Sequence, residues 1–212
     1  MRNEFNISTS RTKSVLNKLR QSLGPRLDRM GALFASSGLS PNFWTALSLI
    51  FAAASGLIYM SSVSSLGLNW YVSSLAGSIM LFISGFLDIV DGCVARATKR
   101  SNKKGAYLDS VFDKISESII FIGIPLGGHA NPVISQVALS LSLLVSYTRA
   151  KSEAVGIELQ GVGIGERAER LLIVGILGLI PLEGILQFAL LLVCLFAGIT
   201  LCQRVVFTIR KL

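Results

Sequence analysis

Histidine is almost missing from this 212-residue chain, cysteine is scarce, and charge is thin. Each shortage removes a class of function. The one histidine, His129, stands in a Gly-Gly-His-Ala-Asn-Pro turn, and no Ser/His or Cys/His pair is evident to serve covalent catalysis. His129 reads as an ordinary turn residue. The three cysteines, Cys93, Cys194 and Cys202, lie in apolar runs without CxxC or Cys/His spacing. That argues against a disulfide framework and against zinc, and leaves inert buried thiols. Charged residues make up 15% of the chain, where a soluble domain carries about a quarter. With 51% of residues apolar, the composition is that of a membrane protein. The first thirty residues are polar and basic, without the apolar core of a cleavable signal.

The oily sequence divides into six apolar runs, near 42–63, 69–95, 106–126, 132–150, 166–181 and 183–207. With its flanks, each is about long enough for a hydrocarbon core of roughly 30 Å. The third and fifth are short or carry charge, so their ends are expected to line a wet cavity. Turn-forming residues separate the runs at Leu66-Gly67-Leu68-Asn69, at Pro125 to Pro132, and at Pro181-Leu182-Glu183-Gly184. Ahead of them, residues 10–36 interleave Leu16, Leu19, Leu23, Leu27, Met30 and Leu33 with Lys13, Lys18, Arg20, Arg26 and Arg29. That pattern predicts an amphipathic helix lying in the membrane interface. Ser40-Pro41-Asn42 then starts the first span, with Ser40 as N-cap and Pro41 in the first turn. The expected division is a juxtamembrane helix over 1–40 and a six-helix, all-α membrane domain over 41–212.

Basic residues are absent from three alternate loops, around 64–69, 126–132 and 180–184. All twenty lysines and arginines lie on the other side, which the positive-inside rule makes cytoplasmic. Both termini are therefore expected inside the cell membrane, and the Asn6-Ile7-Ser8 sequon is discounted. The net charge of +8 could suggest nucleic acid. The basic residues sit in short runs between apolar spans, however, so anionic lipid and anionic substrate are the better counterparts.

Against this background, one stretch carries an excess of acid. It reads Asp88-x₂-Asp91-Gly92-x₂-Ala95-Arg96-x₈-Gly105-x₃-Asp109-x₃-Asp113. Asp88 and Asp91 share one helix face, and Asp109 and Asp113 another. The loop 97–104 returns the chain, so the two pairs can meet on antiparallel helices. Buried carboxylates survive only when paired, solvated or metal-bound. Hard oxygen ligands in this number suit Mg²⁺, Mn²⁺ or Ca²⁺. Two other uses of the acids stay open on physical grounds: inter-helix contacts with Arg96 and Lys114 as counterions, and a cation pathway through a transporter or channel. Gly92, Ala95 and Gly105 leave backbone bare beside the acids and permit close approach of a helix or a planar ligand. The acids lie within two or three turns of the cytoplasmic loops, which favours a site open to a water-soluble phosphate.

The eight fixed positions resemble the signature of the CDP-alcohol phosphotransferases. Eight such identities would coincide by chance on the order of once in 10¹⁰ windows. The six runs, the lead-in helix and Ser40-Pro41-Asn42-x-x-Thr45 also look like this family. The resemblance implies transfer of a phosphatidyl-type group from a CDP-linked lipid to an alcohol, with release of CMP. It implies that Asp88, Asp91, Asp109 and Asp113 hold one or two ions of Mg²⁺ or Mn²⁺, with Asp113 as general base. Asn42, Thr45, Asp91, Gly92, Ala95, Arg96 and Gly105 would contact the CDP-lipid. A homodimer is implied as well.

A second, basic set bears on the acceptor. Arg149 and Lys151 end the fourth run, Gly161-x-Gly163-x-Gly165-Glu166-Arg167-x-x-Arg170 opens the fifth, and Arg204 lies in the sixth. Five cations could converge on the phosphate of a phosphorylated acceptor, although flank charge explains any one of them equally well. As a set they resemble the phosphatidylinositol-phosphate and archaetidylinositol-phosphate synthases, which implies inositol phosphate as acceptor. Glycerol 3-phosphate is the alternative.

Overall fold

The computed structural model describes residues 15–62, 69–98, 103–159 and 161–212, and all of its regular structure there is helical. Seven helices follow one another: α1 (Val15–Ala35), α2 (Pro41–Met60), α3 (Trp70–Ala97), α4 (Lys103–Leu126), α5 (Pro132–Ala154), α6 (Arg167–Gly178) and α7 (Ile185–Lys211). Their starts follow local chemistry. Ser40 is extended at the N-cap of α2 with Pro41 in the first turn, as expected. Asn69 and Asn131 cap α3 and α5, their side-chain oxygens accepting from the backbone N–H groups of Tyr71 and Val133 at 3.0 and 2.8 Å. A capping box opens α6, with the Glu166 N–H donating to Glu169 Oε2 at 2.9 Å. Gly184, at φ +77°, turns the chain into α7.

Four helices, α2, α3, α5 and α7, are long and apolar enough to cross a membrane. The third expected run falls within α4, whose 24 residues are long enough but interrupted by acids and lysines. The fifth is found as α6, whose 12 residues measure about 18 Å, well short of a hydrocarbon core. The lead-in helix is present from Val15, and residues 10–14 lie outside the described part.

α2 lies against both α3 and α4, α5 against α7, and α6 between α3 and α7, while α1 rests on α3. Serine hydroxyls tie the helices through backbone carbonyls. Ser48 and Ser84 bond reciprocally across α2 and α3 at 2.9 Å, and Ser74 Oγ donates to Gly178 O at 2.8 Å. Gly56 and Gly123 let the backbones of α2 and α4 touch. Ala52, Tyr59, Ile120, Val174 and Leu190 fill the centre. Outward faces stay oily: Ile50, Leu57, Ile79, Ile122, Phe188 and Leu195 are exposed. In water such a surface would aggregate, and in lipid it is solvated.

Candidate active site

The motif acids occupy the last turns of α3 and the first half of α4. One carboxylate oxygen from each of Asp88, Asp91 and Asp109 lies within 4.8 Å of the other two. Asp91 is buried, its Oδ2 makes no hydrogen bond, and the Thr45 hydroxyl and its own Gly92 backbone approach the carboxylate. A buried carboxylate oxygen without a donor is costly. Three hard anions at this spacing, one of them unsatisfied, fit a divalent cation.

Asp113, one turn further along α4, stands apart from that group. Its Oδ1 is 2.5 Å from Arg167 Nη1, and the same nitrogen is 3.2 Å from Asp88 Oδ2. The expected set of four is therefore three clustered acids plus one paired with arginine. Gly92 is open, since a side chain there would meet only Arg96. Arg96 is exposed and donates from Nη2 to Cys93 Sγ at 3.1 Å. Ala95 and Gly105 are half-buried, Asn42 is exposed and Thr45 is buried, so the residues expected at the nucleotide differ in depth.

The five basic residues are held in different ways. Arg170 is 1% exposed. Its Nε and Nη2 donate to the two oxygens of Glu117 at 2.8 and 3.1 Å, and its Nη1 donates to Gly165 O at 2.7 Å. A guanidinium so enclosed is committed to the protein. Arg204 is also buried: Nε and Nη1 donate to Val162 O and Val145 O at 3.0 and 2.8 Å. Its Nη2 lies 4.0 Å from Glu166 Oε1. Arg149 and Lys151 are exposed at the end of α5, with Arg149 paired to Glu153 at 2.9 Å.

Two residues outside the expected set also shape the site, Glu117 and Thr200. Glu117 continues the i, i+4 face of Asp109 and Asp113, and that periodicity is the signal in the sequence that points to it. Lys114 stands among the charges of Asp113, Glu117, Arg167 and Arg170. Thr200 Oγ1 accepts from the N–H groups of Ile164 and Gly165 at 3.2 and 2.9 Å, fixing the glycine loop on α7. Beside Asp88 and Arg167 opens a cavity of about 290 Å³ with apolar walls from Leu81, Phe82, Phe86, Ile120, Leu171 and Leu172.

Comparison with known proteins accords with this geometry. Residues 38–209 match the CDP-alcohol phosphatidyltransferase family. The chain is 35% identical over 192 residues to the archaetidylinositol phosphate synthase of Pyrococcus horikoshii, covering 90% of this chain and 95% of that one. It is 34% identical over 215 residues to the phosphatidylinositol phosphate synthase of Streptomyces avermitilis, covering 94% and 84%. Its fold matches that of the Mycobacterium tuberculosis phosphatidylinositol phosphate synthase. The crystal structure of that protein with manganese and citrate superposes with a TM-score of 0.71 at 25% identity, covering 86% of this chain and 88% of that one. The chain belongs to the CDP-alcohol phosphatidyltransferases, a family of phospholipid-synthesis transferases.

Proposed function

We propose that the protein transfers a phosphatidyl-type group, diacylglycerol- or archaeol-linked, from a CDP-lipid to inositol phosphate and releases CMP. The observation that carries this reading is the Asp88–Asp91–Asp109 cluster with its unsatisfied buried oxygen, in a chain one-third identical to synthases of inositol-phosphate lipids. The manganese complex of the mycobacterial relative supports a divalent ion, Mg²⁺ or Mn²⁺. Such an ion, held by these three acids, would supply charge neutralisation on the pyrophosphate and on the departing CMP.

The protein's own groups do the rest. Asp113 takes the proton from the acceptor hydroxyl as its oxygen attacks the phosphorus next to the lipid, and the P–O bond to CMP breaks. The backbone at Gly92 and Gly105, with Ala95, Arg96, Asn42 and Thr45, receives the nucleotide. The apolar cavity against Asp88 takes the start of a lipid tail, which keeps the reacting phosphate at the depth of the acids. Arg149, Lys151 and Arg204, through the Nη2 that now pairs with Glu166, hold the acceptor's phosphate, and the donors already committed in Arg170 fix the loop behind them.

In this reading α4 and α6 complete a six-span bundle, the short α6 extended by its flanking residues and held between α3 and α7. The termini and the active site face the cytoplasm, where every basic flank lies. The interfacial role of α1, the division at residues 1–40 and 41–212, and a homodimer belong to the same proposal. The family match beginning at residue 38 fits that division.

The deciding measurement offers the purified protein a CDP-lipid with inositol phosphate or glycerol 3-phosphate in parallel, and follows CMP. Release with inositol phosphate is expected. Turnover with glycerol phosphate alone would replace the acceptor, and no turnover with any phospho-alcohol would overturn the reaction.

A further inference from the structure

Arg167 is placed between two helices that it does not belong to. It begins α6, yet Nη1 contacts Asp113 of α4 at 2.5 Å and Asp88 of α3 at 3.2 Å. The side chain is 17% exposed, and its Nε is buried without a hydrogen bond. Arg170, one turn along, has every nitrogen bonded. The two arginines of one helix are therefore held differently: Arg170 is satisfied where it stands, while Arg167 pairs its charge and leaves a donor buried and unmet.

Asp88 belongs to two constellations. One of its oxygens joins Asp91 and Asp109 in the candidate cation cluster, and Oδ2 receives Arg167. A carboxylate can serve both only at the expense of setting a dication beside a guanidinium, and the two repel. We propose that Arg167 is a resident counter-ion of the metal site. It neutralises Asp88 and Asp113 while the divalent cation is absent, and gives up Asp88 when the cation binds. This role rests on the proposed metal site. It adds a consequence for Asp113, which shares the guanidinium with Asp88 in the unloaded enzyme and holds it alone once the site fills. Arg167 acts here as a positioning residue, holding Asp88 in place until the cation arrives.

The test is Mn²⁺ binding to purified protein, followed by the electron paramagnetic resonance of free Mn²⁺, for the native chain, Arg167→Gln and Arg167→Lys. Thermal melting without metal is measured alongside. If Arg167 competes with the cation, Arg167→Gln binds Mn²⁺ about fivefold or more tighter, as expected when a largely buried ion pair no longer has to be broken. Without metal it melts lower, and it gains more from Mn²⁺ than the native chain does. Arg167→Lys falls between the two, since an ammonium keeps the charge and loses the fork. Unchanged or weaker binding by Arg167→Gln overturns the proposal. So does tighter binding by Arg167→Gln with Arg167→Lys equal to native, which would reduce the effect to charge at a distance. If none of the three proteins binds Mn²⁺, the metal site fails and takes the counter-ion with it. If all three bind alike, only the counter-ion fails.

Discussion

Asp91 and Asp113 come from one motif, yet their surroundings separate them. Asp91 is buried with an oxygen that has no donor, whereas Asp113 holds an arginine at 2.5 Å. The same substitution should therefore have opposite effects at the two positions. Asp91→Asn removes an uncompensated buried charge, so the metal-free protein is expected to melt a few degrees higher while losing turnover, in the usual exchange of stability for function. Asp113→Asn takes from Arg167 the nearer of its two carboxylates, so the metal-free protein is expected to melt lower. It should also lose about a hundredfold or more in kcat with Mn²⁺ binding retained, because a general base is missing. Melting curves and CMP release on the two variants read both effects. The acids were legible because their spacing is itself helical geometry. The pairing of Arg170 with Glu117 was not, since 53 residues separate them and flank charge explained Arg170 equally well.

At the scale of elements, the boundaries visible in the sequence were those with turn chemistry. Asn69, Pro132 and Gly184 all stand where helices begin. The length of α6 was less visible, because hydrophobicity continues past Gly178 into Leu179 and Ile180 although the helix stops. Gly178 meets Ser74 and Ser78 of α3, so the helix ends where its backbone is already held. The turn 127–131 gives His129 more structure than its sequence suggested. Its Nε2 is 3.0 Å from Ser73 Oγ, and its ring stands edge-on to Tyr59. Burial pushes the imidazole below its usual value. An unfolded chain then binds a proton that the folded one refuses. Stability contributed by neutral His129 is complete above the ordinary histidine range and falls as pH drops through it. The melting temperature of the native chain should decline more steeply below about pH 6.5 than that of His129→Gln. Parallel slopes would show that the ring titrates freely.

Across the whole molecule, the apolar surface was readable from composition, because lipid selects on residue type. What composition could not supply was the depth at which charges meet, since depth is set by which helices touch. The buried Glu117–Arg170 pair carries that point into biogenesis. In the proposed bundle, α4 carries a carboxylate and α6 a guanidinium into a low-dielectric interior. Each charge costs about 2.5–3.5 kcal/mol when a helix inserts alone. Neither helix is a good independent passenger, and α5 separates them in the order of synthesis. Partitioning of α4 by itself in a glycosylation-reporter insertion assay is therefore expected to be poor. It should improve with Glu117→Leu, or when the segment extends through α6. The same ion pair that fixes the acceptor loop then acts as an assembly checkpoint: the fourth helix commits to the bilayer only once the sixth has arrived to meet it.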